Sequence, residues 1–321
     1  MKSLLLALIF VGANGLALAQ EQEHLEPSER KFQSLVREPL TIYKGFFRGG
    51  VTVLFSTIDH MFDNDGNRIP LLGNANAKQW TYSPFLQYGI TDRFQVEVMA
   101  PYVSGRLQQS VQYKIPGVDS VFVKHWTRKT QGIGDLDVAL SYQLIEGSST
   151  NPGVSLVVTG TLPTGEKNPK NVNEDNPAEH DAAPGYGEYA INSQLRFRKV
   201  MFPFSFNVFA SYKHFFPGKK IMEAGDTQER PFKSGDIVSF SGALYMHLNN
   251  WIVFRNLAEV YIHQASEVDE IKGDDGHAFI YTGGLSFQLK QFRLDQIATV
   301  PILGRNAGAE IGYAFNVMYT F

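Results

Sequence analysis

Twelve ionisable side chains sit at comparable places along this chain. Arg48, Glu97, Asp135, Asp137, Glu188, Arg196, Arg198, Lys213, Arg255, Glu259, His263 and Glu310 each lie on the polar side of a segment whose alternate residues are apolar or aromatic. Apart from His263, six are acidic and five are basic. Their spacing does not build acid/base pairs within a segment. Arg255 and Glu259, four apart on one extended segment, are separated by about 13 Å, too far for a direct bridge, so partners must come from other segments. Charges gathered on one face of such segments either pair with one another or line a path for a solute. For most of the set the expected role is a structural pair, and for a few gating or selectivity. The mixed signs predict no strong preference for anions or cations.

Catalysis finds less support. Of the eight histidines, His125, His180, His247 and His263 stand beside no recognisable nucleophile arrangement. His247 and His263 fall on the inward faces of neighbouring segments, where lumen lining is the simpler role. No Gly-rich phosphate loop and no zinc spacing occurs. With no cysteine, a thiolate nucleophile, a thiolate metal site and a disulfide scaffold are all excluded. Asp63-Asn64-Asp65-Gly66-Asn67 resembles the start of a calcium loop, but Arg68 stands where that loop needs Gly and Asn74 where it needs an acid. A solvated turn is the better reading. The acidic stretches at Glu174-Asp175 and Asp274-Asp275 are either divalent sites bridging lipopolysaccharide or, more simply, solvated loops. No catalytic residue, cofactor or resident metal is expected.

The elements that position these residues begin after a leader. Lys2, the apolar run Leu4 to Val11 and the small-x-small site Ala17-Leu18-Ala19 read as a secretory signal peptide over 1–19, cleaved near Ala19. Its loss leaves 28 basic against 32 acidic residues, a mildly acidic chain with no bias toward nucleic acid. Residues 20–44 are polar, with a short amphipathic helix expected over 28–37 that stops before Pro39. The segment is either a periplasmic lead-in, the favoured reading, or a plug in the lumen.

From residue 45 to the end the period is two. In the last stretch Ile311, Tyr313, Phe315, Val317, Tyr319 and Phe321 are apolar or aromatic, against Glu310, Gly312, Ala314, Asn316, Met318 and Thr320. One face must meet water and the other something oily. The same pattern predicts strands near 47–57, 78–89, from 93, 133–144, 154–162, 186–198, 204–216, 236–248, 251–264, 277–290, 292–300 (ended by Pro301) and 309–321. Odd-to-even connections are long and even-to-odd ones tight. The section 105–131 carries its own alternation and reads as a hairpin extending strands three and four. Twelve two-faced strands with this rhythm predict a membrane-spanning, antiparallel up-and-down β-barrel with short periplasmic turns and long extracellular loops. A soluble sandwich would need an unusually large aromatic core. Closure requires the last strand to pair with the first near Val51 to Phe55.

Three motifs add a resemblance: Gly89-Ile90-Thr91-Asp92-Arg93-Phe94-Gln95-Val96-Glu97-Val98 with Ala100-Pro101-Tyr102, then Gly132-Ile133-Gly134-Asp135-Leu136-Asp137, then Thr161-Leu162-Pro163-Thr164-Gly165. Together they resemble the family labelled "putative MetA-pathway of phenol degradation", outer-membrane barrels commonly described as transporters. The resemblance implies a passive channel for small solutes, hydrophobic or aromatic by analogy, in the outer membrane of a Gram-negative bacterium. The competing expectation is a structural or adhesive barrel with a closed lumen. Expected partners are outer-membrane lipid and lipopolysaccharide, a small solute, and the barrel-assembly machinery through the strand ending in Phe321.

Overall fold

The computed structural model describes residues 40–114, 121–147, 151–168, 179–221 and 228–321. The signal peptide, the 28–37 helix and Glu174-Asp175 lie outside the described residues. Twelve strands form the wall: β1 Phe47–Ile58, β2 Asn76–Thr91, β3 Phe94–Met99, β4 Leu136–Ile145, β5 Gly153–Leu162, β6 Ala190–Met201, β7 Phe204–Phe215, β8 Ile237–His247, β9 Ile252–His263, β10 Gly276–Leu289, β11 Phe292–Arg305 and β12 Ile311–Thr320. Each pairs antiparallel with the next, and β12 pairs back onto β1, so no edge is left open in the wall.

The period of two decides which way each side chain goes. On β4, Leu140 and Tyr142 are exposed to the outside while Ala139, Ser141 and Gln143 are buried inside. On β12, Tyr313, Phe315 and Tyr319 are exposed and Gly312 and Met318 buried. The serines at 155, 205 and 286 are all 0% exposed and all face inward. Small polar residues inside and aromatics outside invert a soluble protein. An exposed apolar band of this extent is stable only against hydrocarbon. The expected closing register is present: Val51 faces Val317, Val53 faces Phe315 and Phe55 faces Tyr313. Its end is locked by a reciprocal pair in which each of Phe47 and Phe321 donates its backbone N–H to the other's carbonyl, at 2.9 and 2.8 Å. Phe47, Tyr88 and Phe321 stack outside this seam, with ring centroids 4.5 Å (Phe47–Tyr88) and 5.8 Å (Phe47–Phe321) apart.

One end of the barrel carries tight connections, at 92–93, 146–152, 202–203, 248–251 and 290–291. The other carries the long ones. Tyr102–Lys114 and Val121–Ile133 form the expected hairpin, and the outer half of β2 pairs with its first arm. Loop segments add small sheets beyond the wall. Glu179–Ala182 pairs parallel to the second arm of the hairpin. Arg230–Lys233 joins Gly218–Lys220 to Glu267–Val268.

Three boundaries differ from expectation. The fourth strand starts at Leu136, not Ile133, because the Asp135 carboxylate is turned onto neighbouring loops. The sixth starts at Ala190, not Tyr186, leaving Glu188 ahead of the strand. The eleventh runs through Pro301 to Arg305, which shortens the last long-end connection to 306–310. Ile280 faces Pro301 while Phe279 faces Leu303. Pro301 therefore sits at a bulge, where its missing N–H removes no ladder bond.

Candidate functional site: the barrel lumen

The inner face is layered along the barrel axis. Within a few residues of the tight-turn end lie Arg48 on β1, Arg196 and Arg198 on β6, Arg255 on β9 and Arg293 on β11. Two inward carboxylates share this level. Asp295 is 2% exposed; its Oδ1 lies 2.9 Å from Arg293 Nε and 3.5 Å from Arg255 Nη2. Glu97 accepts a hydrogen bond from Gln87 and lies in the field of Arg196. Arg255 also sits 5.0 Å over the Tyr245 ring, and Arg48 donates to Thr320 Oγ1 at 3.1 Å. Arg198 and Arg255 both act on the imidazole of His247, which places them around one stretch of wall.

Above this belt comes an apolar layer. Phe209 stands directly opposite Arg196 on the ladder, and Phe85 opposite Met99. Leu257 and Ile297 continue the layer on β9 and β11. Phe85 lies over Gly50, where an added Cβ would come within 2.7 Å of its ring and 2.4 Å of the Val317 carbonyl.

The long-loop end is acidic. Asp137 accepts from Thr161 Oγ1 at 2.6 Å. Glu259 faces Ser241 and Ile280. Glu310, just before β12, acts with Asp135 and Asp137 on the Tyr186 phenol, and with Glu259 on that of Tyr261. Lys213 lies 4.8 Å over the Phe215 ring, and His263 Nε2 meets the Asn306 carbonyl at 3.2 Å.

Two of the expected lumen residues hold loops instead. Asp135 accepts from Gly165 N at 3.0 Å and Tyr186 N at 2.7 Å. Glu188, 2% exposed, accepts from Ser234 N at 2.8 Å and from its hydroxyl. Burial pushes the Glu188 carboxyl above its usual range, against the pull of the Ser234 donors and of Lys220 and Lys233. Asp236 plays a similar part. Burial pushes its carboxyl up, but hydrogen bonds from Tyr212, His214 and Phe215 N outweigh that and hold it below the usual range.

The tight-turn mouth carries a strap. Thr41 is buried and donates from Oγ1 toward Gln143 Oε1 on β4 at 3.0 Å and the Asp92 carbonyl at 3.1 Å. Ile42 N donates to Gln95 Oε1 on β3 at 2.7 Å. Leu40 Cδ1 would lie 3.1 Å from a Cβ at Gly153 on β5. Residues 40–46 thus cross the inner wall from β5 to β1. Gly89 is the contact that admits them, since a Cβ there would fall 2.0 Å from the Tyr43 carbonyl. Gly89→Val is expected to expel the strap while the barrel still forms. Limited proteolysis of folded protein would then cut within 40–46 much faster than in the parent; equal rates would show the contact dispensable.

The structure gathers Arg48, Glu97, Arg196, Arg198 and Arg255 into the belt near the tight turns, and Asp137, Glu259 and Glu310 toward the long-loop end. The reading from sequence missed Arg293 and Asp295. Gln296 on the outward face and Ile297 on the inward face blur the alternation of β11, and only the pair Arg293, Asp295 beside it carried a signal. Ser205 Oγ and His247 Nε2 are 3.1 Å apart, but among the described residues no carboxylate bonds to the imidazole to orient it. Asp63 spends its carboxylate on Asp65 N and Asn67 N at 2.9 and 2.8 Å, as a solvated turn does. Among the described residues no group of three His, Asp or Glu could hold a metal.

The fold is similar to that of the COG4313 outer membrane channel from Pseudomonas putida F1, at 12% identity and a TM-score of 0.65, covering 93% of this chain and 100% of that one. Weaker likenesses include the Ralstonia pickettii toluene transporter TbuX, at 12% identity and TM-score 0.41 over 94% of this chain and 100% of that one. A Pseudomonas aeruginosa FadL homologue follows at 10% identity and TM-score 0.38, over 86% and 90%. No curated protein sequence matches. The fold is that of an outer-membrane β-barrel, and over residues 58–296 the sequence matches the family described as "Putative MetA-pathway of phenol degradation", to which this chain belongs.

Proposed function

We propose that this protein is a passive outer-membrane channel for small solutes, with the tight turns facing the periplasm and the long loops outside. The observation that carries this reading is a closed wall whose outer face is an apolar band and whose inner face is stacked in charged and apolar layers. Ionisable groups at membrane depth pair with one another or line a solute path, and a wall layered in this way has room for both. The solute path runs past Glu310, Glu259, His263, Asp137 and Lys213, then Arg196, Arg198, Arg255, Glu97 and Arg48; Asp135 and Glu188 hold its outer rim. The family description names phenol degradation, which is the ground for expecting aromatic solutes.

In this reading residues 1–19 are removed near Ala19, residues 45–321 form the barrel, and residues 20–44 lead in beneath the strap or extend it into the lumen. Lipopolysaccharide contacts the acidic outer loops, and the strand ending in Phe321 is presented to the assembly machinery of a Gram-negative cell.

Stepwise current from the folded barrel in a planar bilayer is the expected result. Its absence would favour the closed, structural barrel. Removal of residues 20–44 is expected to enlarge the current step, because the strap covers part of the periplasmic mouth. An unchanged step would place that segment outside the ion path.

A further inference from the structure

The belt at the tight-turn end has an excess of charge. Among the described inward residues at that level, five arginines stand against two carboxylates, Glu97 and Asp295. Three of the arginines, Arg196, Arg198 and Arg255, lie on the β6–β9 side; Glu97 acts on Arg196 there, and Asp295 engages Arg255 and Arg293 on the β9–β11 side. Between Arg198 and this arc stands Asn207, facing Arg198 across the ladder. Asn207 is 4% exposed, and its Nδ2 has no hydrogen-bond partner among the described residues. A buried amide donor left unmatched beside guanidinium groups is an arrangement made for an acceptor oxygen. Guanidinium forks suit a planar oxyanion in particular. Immediately above lies an apolar surface, with Phe209 opposite Arg196 and Leu257 two residues up β9 from Arg255.

We propose that Arg196, Arg198 and the Asn207 amide form a binding subsite for the carboxylate of an apolar solute, whose ring or chain rests against Phe209 and Leu257. This rests on the channel reading and names the class of solute. The acidic layer does not oppose it at close range. Glu259 shares a ladder row with Arg196 through Phe209 and Ser241, three strands away and so about 14 Å around the wall, beyond a Debye length of about 8 Å at physiological salt. The mixed signs in the sequence hid this subsite because the acidic and basic groups segregate along the axis.

Benzoate, benzyl alcohol and benzylamine share a ring and differ in charge, so they are the probes. Calorimetry on the detergent-folded full chain reads binding, and uptake into proteoliposomes reads transport. Benzoate is expected to bind at least about tenfold more tightly than either of the other two, the scale of a hydrogen bond to a charged group. The double variant R196Q/R198Q, with inward polar replacements that a barrel lumen accommodates, is expected to erase that preference, lowering benzoate binding about tenfold more than benzyl alcohol binding. Asn207→Leu reads the amide separately and should lower benzoate binding alone. Equal binding of benzoate and benzyl alcohol by the parent, or an unaltered preference in R196Q/R198Q shown to be folded by its heat-modifiable gel migration, would overturn the subsite. Failure of all three probes to cross the vesicle while benzoate still binds would instead count against the channel and leave the subsite standing.

Discussion

Phe315→Arg will abolish assembly, while the same change of charge one residue along will not. Phe315 is 47% exposed on the outer face at the middle of β12, between Val53 and Gln296. A guanidinium there must enter hydrocarbon, at a cost of roughly 2–4 kcal/mol near the midplane. Asn316 points inward and faces Thr52, with its Oδ1 3.3 Å from the threonine hydroxyl, so Asn316→Lys puts its ammonium in the lumen. The measurement is the fraction of heat-modifiable, folded protein recovered in vesicles. Similar recovery for both variants would contradict the assignment of the two faces.

Asp295→Ala is the second large effect, and it acts on stability. The Asp295 carboxylate is 3% exposed and lies against two guanidiniums, those of Arg255 and Arg293, exposed to 20% and 11%. Removing one member of so enclosed a set leaves the others charged and close together, a loss of about 3–5 kcal/mol. The midpoint of urea unfolding in vesicles should fall accordingly. Asp295→Glu, which keeps the charge, should recover most of it. A drop under about 1 kcal/mol, the worth of an exposed pair, would mean that water in the lumen already screens these groups.

Much of the fold was legible because an alternation of period two is a direct imprint of a wall with oil on one side and water on the other. It located all twelve strands and the pairing of β12 with β1. It was least informative where a residue answers to something other than its face. Pro301 reads as a terminator, yet a bulge beside it on β11, at Ile302, lets that strand continue. Asp135 and Glu188 read as lumen charges because they continue the period, but backbone N–H groups from distant loops claim them. Those loops meet only in three dimensions, so no local pattern reports them. The belt near the tight turns was half legible. Four of its five arginines were named and Arg293 was not, and segregation of charge along the axis depends on where each strand begins relative to the others. The strap at 40–46 had the weakest signal, since its contacts are backbone groups meeting glutamines and a glycine, residue types with many other uses.

The seam has a kinetic consequence. Ten of the wall's strand pairs join neighbours connected through one turn or loop, and β3 and β4 meet at the foot of their hairpin. Only β1 with β12 joins residues such as Thr52 and Asn316, 264 apart in sequence. The loop-closure entropy of that contact is the largest among the wall's strand pairs, so the barrel is expected to zip hairpin by hairpin and to shut last. Until it does, β1 and β12 each present a row of unpaired backbone groups, and their reciprocal bond at Phe47 and Phe321 is the clasp that ends this vulnerable interval.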